Sequence, residues 1–343
     1  MRILVTGDRG YIGSVLVPLL AKQNHEVIGF DTGFFNENKL CETFEDYEKI
    51  ICDIREINHS HFNGIDAVIH LAGLSNDPLG ELSPEITYQI NHKASIKLAK
   101  VAKSAGVKRF IYSSSQSMYG VSKTNNELDE NESEKNPVTA YAAAKWIAEQ
   151  ELNELKDDNF TVVSFRPSTV FGASPRLRTD IVFNNLVACA YTTGNIEIKS
   201  DGTPWRPIIH IKDVCNAFIS GLEAPKSLIN GKAFNVGIKN GNYTVKQIAE
   251  AASNACPGST LSFTNEHTDP RSYRVSFKRI HNELGDYFQP KWDLKKGGKE
   301  LVEFFKKINF TENQFRDRST IRLKQIKYLI EKQIINNELI KKK

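Results

Sequence analysis

Short apolar runs alternate with longer stretches of helical periodicity through the first half of the chain. Arg2–Thr6, Glu26–Phe30, Lys49–Cys52, Ala67–Leu71, Arg109–Ser113 and Thr161–Phe165 read as short buried strands. Between them the spacing predicts helices over Tyr11–Lys22, about 87–104 and about 140–155, the first carrying a kink at Pro18. Strands that alternate with helices in this way argue for an α/β fold, a doubly wound parallel sheet covered on both faces. After Arg166 the pattern loosens. Pro167, Gly172, Pro175, Gly194, Gly202, Pro204 and Pro207 punctuate shorter elements. This reads as a smaller carboxyl-terminal region, 168–319, laid over the ends of a sheet built from 1–167, with segments around 206–237 returning to that sheet. In the last stretch, 320–343, Leu323, Ile326, Ile330 and Ile334 recur at spacings of three and four, which predicts one amphipathic helix.

Composition narrows the class. The 343 residues allow one large core or two fused domains, and 40% hydrophobic with 25% charged residues is ordinary globular composition. A net charge of +4 is too balanced for nucleic acid or a membrane surface as main partner. No apolar run approaches the roughly 20 residues of a membrane helix. The opening MRILVTG breaks at glycine too early for a signal peptide, so a cytoplasmic protein is expected. Five scattered cysteines without a C-x-x-C pair argue against a disulfide scaffold or zinc site, so no metal is expected, and they suit a reducing compartment.

Two stretches carry candidate chemistry. TGDRGYIG, residues 6–13, joins the first strand to the first helix and spaces Gly7, Gly10 and Gly13 by three. Glycine lets backbone approach a ligand closely, and the N–H groups of the new helix suit a pyrophosphate. Asp31 ends the second strand 18 residues after Gly13, near the spacing expected of an acid on the adenosine ribose. Thr32, Gly33 and Phe34 follow it with no arginine, so a 2′-phosphate would meet a carboxylate, and NAD is expected over NADP. Asp8 would repel a pyrophosphate, and Arg9 reaching over the phosphates is expected to offset it.

The second stretch, PVTAYAAAKWIAEQEL at 137–152, places Tyr141 and Lys145 on one helix face. A free tyrosine, with a pKa of about 10, is a poor base at neutral pH. A nearby ammonium favours the phenolate, so Lys145 is expected to lower the Tyr141 pKa and make it a general base for a substrate hydroxyl.

The glycine loop, Asp31, HLAG at 70–73, Ser113–Ser115 and the Tyr141–Lys145 pair follow one another in one order. Together they resemble the extended short-chain dehydrogenase/reductases, and within them the NAD-dependent nucleotide-sugar epimerases and dehydratases, over Met1 to Phe305. The resemblance implies a seven-stranded Rossmann domain, a smaller substrate domain, held NAD and a homodimer. It places Gly7, Gly10, Tyr11, Ile12 and Gly13 on the phosphates, where Arg9 is expected on charge grounds, Asp31 on the ribose, and Asp53 and Ile54 on adenine. Leu71, Ala72 and Gly73 fall beside the nicotinamide ribose, which Lys145 also holds. Ser115, the serine followed by four residues and a glycine, becomes the catalytic hydroxyl beside Tyr141 and Lys145. For the nucleotide-sugar substrate it implies Ser75, Asn76, Ser115, Thr169, Asn185, Arg206 and Arg271. Thr169 stands where asparagine is usual, and the two arginines suit a diphosphate.

Members of that family begin by oxidising a sugar hydroxyl, usually at C4. The 4,6-dehydratases then eliminate water with an Asp-Glu pair directly after the catalytic residue. Here those positions are Gln116 and Ser117, and neither titrates near neutral pH. A 4-epimerase, which needs no further acid or base, is therefore the leading reading. A C4 dehydrogenase or ketoreductase is the alternative, and a dehydratase or a non-catalytic dinucleotide sensor follows behind.

Overall fold

The computed structural model describes residues 1–342 apart from 123, 125, 265 and 267–271. Its centre is a seven-stranded parallel sheet of β1 (Arg2–Thr6), β2 (Glu26–Asp31), β3 (Glu48–Ile51), β4 (Ala67–His70), β5 (Arg109–Ser113), β6 (Thr161–Pro167) and β7 (Lys232–Val236), in the order β7-β6-β5-β4-β1-β2-β3. The order reverses between β1 and β4, and ligands of open α/β sheets bind at such a crevice, beyond the carboxyl ends of the strands.

Because side chains alternate along a strand, each strand feeds both faces. Ile3 and Val5 of β1 enter one buried cluster, with Leu16, Leu20, Phe165 and Phe218. Leu4 enters the opposite cluster, with Phe110, Leu98 and Phe160. The first helix spans Gly13–Lys22 and includes Pro18. The second expected helix is interrupted: Pro84–Tyr88, a wider turn at Gln89–Ala94, then Ser95–Ser104. The widening serves Asn91, whose side-chain amide donates to the Leu74 carbonyl and accepts from the Leu74 N–H.

A third cluster, including Phe183, Leu186, Ile248, Leu301 and Phe305, fills the smaller region. The chain re-enters the main sheet from there. The helix Ile211–Glu223 packs into the first cluster through Val214 and Phe218, and β7 closes the sheet edge.

The carboxyl-terminal segment departs from expectation. Its helix spans Arg322–Glu331 only. Gln333 then takes φ +55, and the chain folds back through a bridge between Ile335 and Lys341. Ile334 is therefore exposed, while Ile335 and Leu339 join Ile326 and Leu329 in the second cluster, on the sheet domain. A helical repeat read from sequence cannot register where the helix stops.

Candidate active site

A cleft of about 550 Å³ runs along the carboxyl ends of the strands, within the range of roughly 300–1,000 Å³ for ligand sites. The glycine loop forms its floor. Gly7 takes φ +73, and a Cβ there would lie 2.8 Å from the Ala72 nitrogen, so only glycine lets the β1 and β4 ends meet this closely. A Cβ on Gly13 would lie 2.2 Å from the Gly7 carbonyl. The start of the first helix is thereby pressed onto the loop, where its free N–H groups face an anion.

Gly7, Gly10, Tyr11, Ile12, Gly13, Asp31, Asp53, Ile54, Leu71, Ala72 and Gly73 all line this cleft. Tyr11 also builds the wall behind it. Its hydroxyl donates to the Gly172 carbonyl at 2.8 Å and accepts from Asn184 at 3.0 Å. Asp31 accepts from the Gly33 N–H at 2.6 Å, and burial raises its pKa. The Asp53 carboxylate is engaged by Arg55, through Nε at 3.0 Å and Nη2 at 2.6 Å. His70 is fully buried between Thr6 and Ser95, and burial pushes it down to about 3, so it is neutral.

Asp8 and Arg9 need correction. Asp8 turns away from the cleft, against Gly29, and accepts from the Tyr47 hydroxyl at 2.8 Å. Burial, then the charge of Asp31, raises it to about 7. Arg9 follows Asp8, 3.8 Å away, and lines a neighbouring depression with Tyr47 and Arg176, while its charge and backbone still favour the Asp31 carboxylate at the edge of the cleft.

The catalytic candidates come together at the β5 end. Thr139 caps the helix Ala140–Glu154, accepting from the Ala142 N–H while donating to Asp77 at 2.7 Å. That start sets Tyr141 and, one turn on, Lys145 toward the cleft. Lys145 donates to the Ser113 carbonyl at 2.7 Å, and burial pushes it down to about 7. The Tyr141 pKa moves up, contrary to expectation. Burial dominates, while Ser115 and the charge of Arg178 oppose it. Ser115 Oγ caps the turn Gln116–Tyr119 by accepting from the Ser117 N–H at 3.1 Å, and it lies 2.8 Å from Ser117 Oγ. Gln116 is buried, with Nε2 donating to the Arg166 carbonyl at 3.0 Å.

Ser75, Asn76, Thr169 and Arg206 line the same cleft. Asn185 does not. Its amide donates to the Thr179 carbonyl at 2.8 Å and serves the fold. Arg271 lies outside the described residues. Sequence reasoning missed Arg178 and Asp180. Arg178 donates to Ser75 Oγ at 3.1 Å and pairs with Asp180 through two contacts, at 2.9 and 3.1 Å. Asn76 donates to Asp180 at 3.0 Å. The one signal for the pair was charge within the SPRLRTD stretch at 174–180. Arg322 and Ile326 line the cleft from the carboxyl-terminal helix. Among the described residues, no three His, Cys, Asp or Glu side chains gather as metal ligands, and no helix is long and apolar enough to cross a membrane.

The family model described as "NAD dependent epimerase/dehydratase family" matches residues 3–237. The chain belongs to the NAD-dependent epimerase/dehydratase family. It is 29% identical over 331 residues to a UDP-glucose 4-epimerase of Bacillus subtilis, covering 88% of this chain and 94% of that one. It is 27% identical over 325 residues to a human dTDP-D-glucose 4,6-dehydratase, covering 89% and 90%. Its fold is similar to the crystal structure of a Bacillus cereus UDP-glucuronic acid 4-epimerase in complex with UDP-glucuronic acid and NAD, with a TM-score of 0.75, 24% identity, and 90% and 100% coverage. The chain is thus an NAD-dependent nucleotide-sugar enzyme of the epimerase/dehydratase family. The cleft fits that cofactor: a glycine floor closed to side chains, a helix start for the phosphates and a carboxylate, Asp31, for the ribose.

Proposed function

We propose that the protein is a nucleotide-sugar 4-epimerase. The observation that carries this reading is the state of positions 116 and 117. Where an eliminating enzyme of this family would need an acid and a base, Gln116 is tied to a backbone carbonyl and Ser117 to Ser115. The one carboxylate bound to the arginine beside Tyr141 is no substitute acid, because Arg178 holds Asp180 below the usual carboxylate range. Such a group stays ionised at neutral pH and has no proton to give a leaving hydroxyl.

NAD, when bound, supplies a reversible two-electron oxidation of the sugar C4. The chain supplies the rest. Tyr141 takes the hydroxyl proton and returns it, Ser115 orients the same oxygen, and Lys145 holds the nicotinamide ribose. Ser75 and Asn76, steadied by Arg178 and Asp180, line the sugar end. Thr169 and Arg206, which line the cleft, would take the substrate diphosphate in this reading. A homodimer in the cytoplasm completes the reading, supported by the family resemblance, and gel filtration tests the former.

Incubation with UDP-hexoses in deuterium oxide, followed by NMR, tests the chemistry. Equilibration of the C4 epimers with protium retained at C5 is expected. Deuterium at C5 with loss of the C6 hydroxyl sinks the reading in favour of dehydration. Lasting, stoichiometric growth of the reduced-nicotinamide absorbance sinks it in favour of a C4 dehydrogenase.

A further inference from the structure

The family match ends at residue 237, yet part of the dinucleotide cleft is built by residues far beyond it. Arg322 and Ile326, one turn apart on the helix Arg322–Glu331, line the cleft beside Asp31, Phe34, Phe35 and Ile54. The segment is anchored to the loops of that same end. Gln325 donates to the Phe34 carbonyl at 2.9 Å. Arg55, which already engages Asp53, donates to the carbonyls of Glu338 at 2.9 Å and Leu339 at 3.2 Å. Ile326 is fully buried in the cluster that holds Phe34 and Ile54.

Arg322 is 2% exposed. Its guanidinium lies 4.4 Å from the centre of the Phe35 ring, and Nη2 donates to the Arg176 carbonyl at 2.7 Å. Nη1 is buried and has no hydrogen-bond partner. Among the described residues no carboxylate is within 4 Å of Arg322, and the charges of Asp180, which pairs with Arg178, and of Asp31 reach it only from farther off. The Arg176 Nε close by is likewise buried without a partner. A buried cation left unpaired costs several kcal/mol, so such a site is strained until an anion completes it. The pyrophosphate is the one anionic part of NAD, and the glycine floor delivers it to this cleft.

We propose that the carboxyl-terminal helix is part of the cofactor site, with Arg322 a ligand of the NAD pyrophosphate and Ile326 an apolar wall at its adenosine end. Arg322 gives the phosphates charged hydrogen bonds that backbone N–H groups alone do not. Burial and the neighbouring Arg178 push Arg322 down to about 9, as expected of a cation awaiting a counter-charge. The inference rests on the cofactor and is independent of the sugar chemistry.

The test is direct titration of the full-length protein, freed of nucleotide, with NAD, ADP-ribose and NADP, together with the melting temperature without ligand. Arg322→Gln is expected to weaken NAD and ADP-ribose alike by about ten- to hundredfold, the range for a hydrogen bond to a charged group. It should also flatten the salt dependence of binding. Without ligand its melting temperature should equal or exceed that of the wild type, because a repelled charge has gone. Arg322→Lys should recover part of the affinity. NAD affinity within twofold of wild type overturns the proposal, as does a loss confined to NADP. Reduced affinity with a lower ligand-free melting temperature that lysine does not restore also overturns it. If Arg322→Gln fails to fold, Arg322→Met gives the same comparison. Failure of both to fold overturns the assignment, since the guanidinium would then serve the fold.

Discussion

Lys145 donates to the carbonyl of Ser113 at 2.7 Å, joining the helix Ala140–Glu154 to the carboxyl end of β5. That bond places the ammonium against the strand that carries Ser115, in a site buried enough to push its pKa down to about 7. Lys145 is thus held near its own deprotonation, and stability depends on pH through it.

For stability the sign is set by burial. The folded pKa lies below the unfolded value, so the unfolded chain binds more protons between about pH 7 and the ordinary lysine value of about 10.4. The ligand-free protein carries the full cost of the charge below pH 7 and sheds it as pH rises through that window. Lys145→Met should therefore be more stable than wild type at low pH, by on the order of a few kcal/mol, with the gap closing toward pH 10. Thermal melts across pH read this directly.

Tyr141→Phe removes the proton acceptor and leaves the cleft shape unchanged. Turnover is expected to fall by about a hundred- to ten-thousandfold, the usual contribution of general acid–base catalysis, with NAD affinity and melting temperature unchanged. Ser115→Ala should slow the reduction of bound NAD by substrate in single-turnover measurements. Turnover equal to wild type would remove either assignment.

Arg178 opposes the burial that raises the Tyr141 pKa. Arg178→Gln should move the rise of turnover with pH to higher pH, because the phenolate then forms less readily. The same change takes the Arg178 contacts from the partly buried Asp180, which keeps its hydrogen bond from Asn76, at a cost of about 1–3 kcal/mol. The pH profile and a denaturant titration separate the two effects. A lower melting temperature with an unmoved profile would reduce Arg178 to a structural role.

Gln116→Glu tests whether the dehydratase chemistry can be restored at this position. The Gln116 amide donates to the Arg166 carbonyl, and a carboxylate cannot. Destabilisation of about 1–3 kcal/mol is expected. It should grow as pH rises above the ordinary glutamate value of about 4.3, since a buried carboxylate facing a carbonyl resists ionisation. No dehydrated product is expected from the variant.

Local patterns made much of the molecule legible. The strand over Arg109–Ser113 is where its apolar run places it, and the strand over Ala67–His70 stops one residue short of its run. Tyr141 and Lys145 share the cleft because four residues make about one helical turn. Asn185 misled because a motif fixes a neighbourhood and leaves open which of two adjacent asparagines faces which way. Its amide holds Thr179, and that of Asn184 holds Tyr11 and Arg178. The inward turn of Asp8 was not legible either, because it depends on Tyr47 from a distant loop.

By itself the sequence determined the alternating sheet, the glycine turn, the acid at the end of β2 and the shared helix face of Tyr141 and Lys145, because each is a relation among residues within a few turns of chain. Only the tertiary structure decided which charges share the site. Arg178 meets Ser75 across 103 positions, and Arg322 reaches Arg176 across 146. Those contacts depend on how separate elements pack. The pKa values that follow depend on burial, which no local pattern encodes.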